Sequence, residues 1–114
     1  MNSTDFLFEQ ELTWEDLGGG VQRQILGYDD KILMARIKFE KGSIGQLHHH
    51  FHSQVTYIVS GKFEVELNGN KKMMKGGDAF YVTPDLVHGV RCLEAGEFID
   101  VFTPAREDFL QIKK

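Results

Sequence analysis

Four of the chain's five histidines, His48, His49, His50 and His52, fall within five residues. Imidazole is a common ligand for Zn, Fe, Ni, Cu and Mn-type ions, so the first chemistry this density points to is metal binding rather than a loop of solvated histidines. On an extended strand, residues two apart share a face. His48 and His50 then point one way and His49 the other, and Gln54 has the parity of the pair. A third histidine must come from elsewhere, and only His88 remains; Pro84, four residues before it, marks a turn. His49 and His52 are expected to support the site rather than bind the ion, although His52 has the right parity and stays in reserve.

A second chemical candidate is Asp100, which alternates with Phe98 and Phe102. A carboxylate on an apolar face that lines a pocket is suited to general acid–base work. If Ile99 and Val101 face the core instead, Asp100 is a surface acid. Both faces are partly apolar, so parity leaves the two readings open. Arg106 could hold a carboxylate through its planar guanidinium, or pair on the surface with Glu107 or Asp108. His88 and Cys92 are four apart, but a lone buried cysteine is the commoner case than a reactive one. Gly18-Gly19-Gly20 has neither the preceding strand nor the following helix and Lys-Ser/Thr of a phosphate loop and reads as a turn.

The elements that would position these residues are strands. Leu33, Ala35, Ile37 and Phe39 alternate with polar or flexible neighbours, and so do Phe63, Val65 and Leu67. Val21–Leu26, Val55–Ser60, Lys71–Lys75, Ala79–Thr83, Gly89–Glu94 and Phe98–Thr103 are further strand-like runs. Turn signals separate them: Gly27-Tyr28-Asp29-Asp30, Lys41-Gly42-Ser43, Gly61-Lys62, Asn68-Gly69, Gly76-Gly77-Asp78 and Glu94-Ala95-Gly96-Glu97. Short helical turns are expected only near Trp14–Leu17 and Arg106–Leu110. About ten short strands without long helices predict an all-β antiparallel sandwich or barrel.

With 114 residues, the chain is sized for one domain, residues 1–114, and can bury a core without a disulfide. Its 17 acids and 13 bases give a net charge of -4, which disfavours nucleic acid or an anionic membrane as partner. No apolar run approaches a membrane span, no secretory signal opens the chain, and Cys92 is the single cysteine. These features lead to the expectation of a reducing, cytoplasmic setting.

The pattern Gly42-x5-His48-x-His50-x3-Gln54-x6-Gly61 resembles the first cupin motif, with Gln where most cupins carry Glu. Gly77-x6-Pro84-x3-His88 resembles the second, with Leu86 in place of its glycine and Cys92 in place of its later asparagine. The resemblance implies a cupin double-stranded β-helix, a jelly-roll barrel, holding one divalent transition metal (Ni, Zn, Fe or Mn) on His48, His50, Gln54 and His88. A closer resemblance, to the pectin-degradation cupins of the KdgF type, runs through Trp14–Val21, Tyr28–Asp30, Phe39–Gly42, Gly61–Glu64, Cys92–Gly96 and the tail from Asp100 to Leu110. It implies conversion of 4,5-unsaturated monouronates, small anionic sugars, to the linear keto form. Asp100 would then be the general acid/base, Arg106 the carboxylate clamp, and Phe102 would shape the pocket. Likeness to small cupins also implies a homodimer formed through the N-terminal strand. Gln54, being neutral, would leave a bound ion nearly its full charge and make it a stronger Lewis acid. Other uses of such a site are a dioxygenase, another isomerase, or a non-catalytic sugar- or acid-binding protein.

Overall fold

A computed structural model describes residues 1–110. The expected all-β architecture is present as eight strands: β1 (Glu15–Gly18), β2 (Val21–Tyr28), β3 (Leu33–Phe39), β4 (Ile44–His48), β5 (Ser53–Leu67), β6 (Asn70–Lys75), β7 (Ala79–Val82) and β8 (His88–Thr103). One 3-10 turn at Glu9–Glu11 precedes them and a four-residue helix, α1 (Glu107–Leu110), follows. The alternation in β3 behaves as the sequence dictates. Leu33, Ala35, Ile37 and Phe39 are buried, and Met34, Arg36 and Lys38 are not.

All pairings are antiparallel, and the long strands β5 and β8 hold the two layers together. The second half of β8 lies between β3 and the first half of β5, which also pairs with β7. The first half of β8 pairs with β4 and with the second half of β5, which pairs with β6. Two sheets thus share two bent strands. Between them sit Leu33, Ile37, Phe39, Ile58, Phe63, Val65, Phe80, Val82, Cys92, Phe98 and Phe102. Phe39, Phe63 and Phe98 make mutual ring contacts, with centroids 4.8–5.3 Å apart.

The structure differs from the sequence expectation at the bends. Gly61-Lys62 and Glu94-Ala95-Gly96-Glu97 were expected to be turns between separate strands. Instead the ladder continues through them, with register shifts at Ile58/Ser60, Ser60/Lys62 and Lys62/Phe63. The glycines serve a close crossing. Gly61 has φ +89°, and a Cβ on Gly96 would lie 2.1 Å from the Ser60 carbonyl oxygen. The two strands therefore bend together, and the strand count is eight rather than about ten. Trp14–Leu17, expected as a helical turn, instead leads into β1. The short helix near Arg106–Leu110 is present as α1. Among the described residues, no helix is long and apolar enough to cross a membrane.

Because the atom meeting a new Cβ at Gly96 is backbone, it cannot swing away as a side chain would. Gly96→Ala is expected to lower unfolding stability by about 2–3 kcal/mol or more. Urea denaturation checks this, with a shifted midpoint as the readout.

Candidate metal centre and cavity

His48 ends β4 and His88 begins β8, and the two are direct cross-strand partners. β4 approaches β8 closely because Gly89 has no side chain: a Cβ there would lie 2.8 Å from the Gly45 carbonyl oxygen. His50 lies beyond the end of β4, in the loop 49–52, so it reaches the group by loop geometry and not by the strand parity the sequence suggested. His48, His50 and His88 each offer a nitrogen within 4.8 Å of the others. Their rings are 4.3–5.7 Å apart, centroid to centroid.

Two of the three are aimed in the same way. His48 Nδ1–H donates to the Gln46 carbonyl at 2.7 Å, and His88 Nδ1–H donates to the Leu86 carbonyl at 2.8 Å. A donated Nδ1–H fixes the tautomer and leaves Nε2 as a lone-pair ligand. His88 Nε2 is buried and has no hydrogen-bond partner among the described residues. Such an orphan is costly unless something accepts its lone pair. Burial holds His88 down to about 4, and it also lowers His50. Both are therefore neutral near pH 7, the form that binds metal. The donor set fits a divalent transition ion.

Gln54 is buried at the start of β5, and it faces this group on one side and Asp100 on the other. Its Oε1 lies 3.0 Å from His50 Nε2. Its Nε2 donates to Thr56 Oγ1 at 2.9 Å and to Asp100 Oδ1 at 3.4 Å. An amide accepts at one end and donates at the other, whereas an ionised carboxylate can only accept. A glutamate here would place a second carboxylate against Asp100.

The two open readings of Asp100 are separated by its position. It faces inward, 7% exposed, opposite Thr56 on β5, whose hydroxyl donates to it at 2.5 Å. Burial pushes its carboxyl up to about 7, with the Thr56 bond and the charge of Arg106 opposing. Phe102 is buried on the same face. Arg106 meets the second of its alternatives, pairing with Asp108 through Nε and Nη2 at 3.0 and 2.8 Å, while its guanidinium stacks over Phe102 and Phe109. His48, Gln54, His88, Asp100, Phe102 and Arg106 all line one cavity of about 210 Å³. The remaining candidates lie outside it. His49 is exposed, 4.0 Å from Asp85. His52 is buried under Phe51, whose ring stacks on it at 4.0 Å, and is not within the histidine group. Cys92 is buried in the core.

Residues 35–102 match the Cupin_2 family, the cupin domain. The chain belongs to the cupin family. This cupin is 41% identical over 107 residues to the pectin degradation protein KdgF of Dickeya dadantii (strain 3937), a match spanning 92% of this chain and 97% of that protein. KdgF from Halomonas sp. shares 37% identity and superposes with a TM-score of 0.89 over 94% of this chain and 99% of that one. An RmlC-like cupin from Shewanella frigidimarina NCIMB 400 shares 44% identity, with a TM-score of 0.93 over 95% and 97% of the two chains. Within the cupins, the chain therefore falls in the KdgF family. Thr56 and Arg23, which also lines the cavity, were not singled out by sequence reasoning. Thr56 sits two after Gln54 on one strand face, a signal that was available; Arg23 offered none.

The metal-free protein should show opposed pH effects. Asp100 binds its proton more tightly when folded, about 7 against an ordinary 3.8, so its contribution is present below pH 3.8 and is lost as pH rises through 7. His88 runs the other way: its contribution is present above pH 6.5 and lost as pH falls through 4. Between about pH 4 and 6.5 the two effects offset one another, so chelator-treated Asp100→Asn should gain stability with rising pH across that window where the wild type changes little, as read by urea midpoints.

Proposed function

We propose that this cupin is a metal-dependent enzyme that converts 4,5-unsaturated monouronates, the acidic sugars that pectin or alginate lyases release, into their linear keto form. The observation that carries the reading is one cavity lined by two of the grouped histidines, a buried carboxylate and an arginine. The relationship to pectin degradation protein KdgF supports the substrate class. His48, His50, Gln54 and His88 are the proposed ligands of one divalent transition metal. When bound, such an ion polarises sugar oxygens as a Lewis acid.

The reaction needs a proton removed and a proton delivered, and no oxidant. Asp100 takes the proton of the anomeric hydroxyl as the bond between C1 and the ring oxygen breaks. C1 becomes an aldehyde, and the former ring oxygen becomes the enol oxygen on C5. Asp100 then returns a proton to C4, and the C4–C5 double bond gives way to the C5 ketone. Atoms and charge balance within the substrate. Thr56 and Gln54 hold the carboxyl toward the cavity. Arg106 takes the substrate carboxylate, and Phe102 packs on the sugar face.

Asp100→Asn keeps the shape and loses the titrating oxygen. Turnover, followed as loss of the conjugated-alkene absorbance, should fall by about 10²-fold or more while metal content stays at the wild-type level. Near-normal turnover in that variant would remove Asp100 from the reaction. No acceleration by metal-loaded wild type would reject the function itself. His88→Ala should lose metal, measured by elemental analysis, and activity together.

A homodimer is the proposed working unit, in keeping with small cupins. Support comes from the outer sheet face, where Val55, Tyr57 and Val59 alternate outward beside Tyr81 and Met34, all 39–54% exposed. Apolar residues gathered on one face mark an interaction surface. Phe6 and Phe8 of the N-terminal arm are exposed as well, and a stable dimer would bury about 800 Å² per copy. Light scattering should give twice the chain mass, and Val55→Glu with Tyr57→Lys should return the monomer with metal retained.

A further inference from the structure

We propose that Arg23 is a second anion-gripping residue of the cavity, acting beside Arg106, and that the two together select acidic over neutral sugars. The proposal rests on the uronate reading above and adds a specificity residue to it. Arg23 comes from β2, far in sequence from Arg106, yet both line the same cavity as His48, His88 and Asp100. Both also lie against one ring. The guanidinium carbons are 3.8 Å (Arg23) and 4.2 Å (Arg106) from the centroid of Phe109. Their side chains are only 13% and 12% exposed.

The two arginines are also held by the same edge. Arg23 donates from Nε and Nη2 to Glu15, at 3.2 and 3.3 Å. Arg106 donates from Nε and Nη2 to Asp108, at 3.0 and 2.8 Å. A guanidinium carries five N–H donors in a rigid fork. Each arginine therefore keeps both Nη1 donors and one Nη2 donor without a protein partner among the described residues. A fork already fixed by a carboxylate on one edge and a phenyl ring on its face loses little freedom on binding a ligand. Two such forks in one cavity match a ligand with a carboxylate and adjoining oxygens. One takes the carboxylate bidentately and the other takes the oxygens beside it. A structural clamp tying β1 and β2 to α1 would explain the Glu15 and Phe109 contacts, but it would not require Arg23 to line the cavity.

The test separates these roles. Arg23→Met keeps the length and the packing on Phe109 but removes the donors; Arg23→Lys keeps the charge without the fork. Metal-loaded wild type and variants are compared by calorimetry with galacturonate, a saturated hexuronate, and with galactose, its neutral counterpart. Kinetics with unsaturated monouronate and melting temperatures are read alongside. Arg23→Met should weaken galacturonate and raise KM by about tenfold or more, the effect of losing charge-assisted hydrogen bonds. Galactose should bind it as it binds wild type, the melting temperature should hold, and Arg23→Lys should recover part of the loss. Unchanged galacturonate affinity and KM in Arg23→Met would overturn the proposal while leaving the uronate function standing. Equal losses for both sugars with a lowered melting temperature would overturn it in favour of the clamp. A wild type that neither binds galacturonate nor converts the unsaturated sugar would remove both readings. If only conversion is measurable, KM decides.

Discussion

The antiparallel ladder between β5 and β8 is the constraint on which the rest of the structure depends. At one end it pairs Gln54 with Phe102 and Thr56 with Asp100, which puts an amide and a hydroxyl beside a buried carboxylate. At the other end it brings in His88, which β4 then meets with His48. Asp100 and His88 thus come from opposite ends of one strand, and the ladder that relates them shifts register only at the bends. A one-residue slip would turn Asp100, Phe98 and Phe102 outward together, because strand side chains alternate. The apolar core opposes such a slip, since Phe39, Phe63 and Phe98 interlock across the layers.

Electrostatics explains the amide of Gln54. Asp100 is the one carboxylate buried among the described residues, and burial already disfavours its charge. Gln54 relieves that cost by donating to it while its carbonyl remains turned to His50. The arginines stand farther out, each with its own acid, Glu15 or Asp108. Polarity is therefore graded from the neutral His50 and His88 imidazoles and the Gln54 amide, through one protonatable acid, to the two arginines of the cavity wall. The overall charge of -4 says little about such an interior.

Much of this was legible in the sequence, and the exceptions have physical causes. The alternation of β3 was readable because one face is core and the other solvent. The spacing His48-x-His50, with Gln54 and a distant His88, was readable as a donor set because few other roles gather four histidines so densely. Parity predicted the convergence of His48 and His50, although a loop rather than a strand brings it about. Gly61 and Gly96 were misread because a glycine that opens a turn and one that admits a crossing strand look identical in one dimension. The direction of Asp100 was unreadable, as both faces of its strand are apolar and only pairing with Thr56 decides between them. Arg23 was hidden for the same reason: its meaning comes from Phe109, at the other end of the chain.

The shared bent strands also bear on how the protein folds. Loop closure must precede the contacts that reward it, so chains rich in distant pairings fold slowly. Here β5 and β8 must enclose the intervening β6 and β7, in a ladder that runs from Leu67↔His88, 21 residues apart, to Ser53↔Thr103, 50 apart. The carboxylate end of the ladder closes the longest loop. Pairing His48 with His88 spans 40 residues and pairing Thr56 with Asp100 spans 44, so histidines and acid alike are brought together only by distant closures.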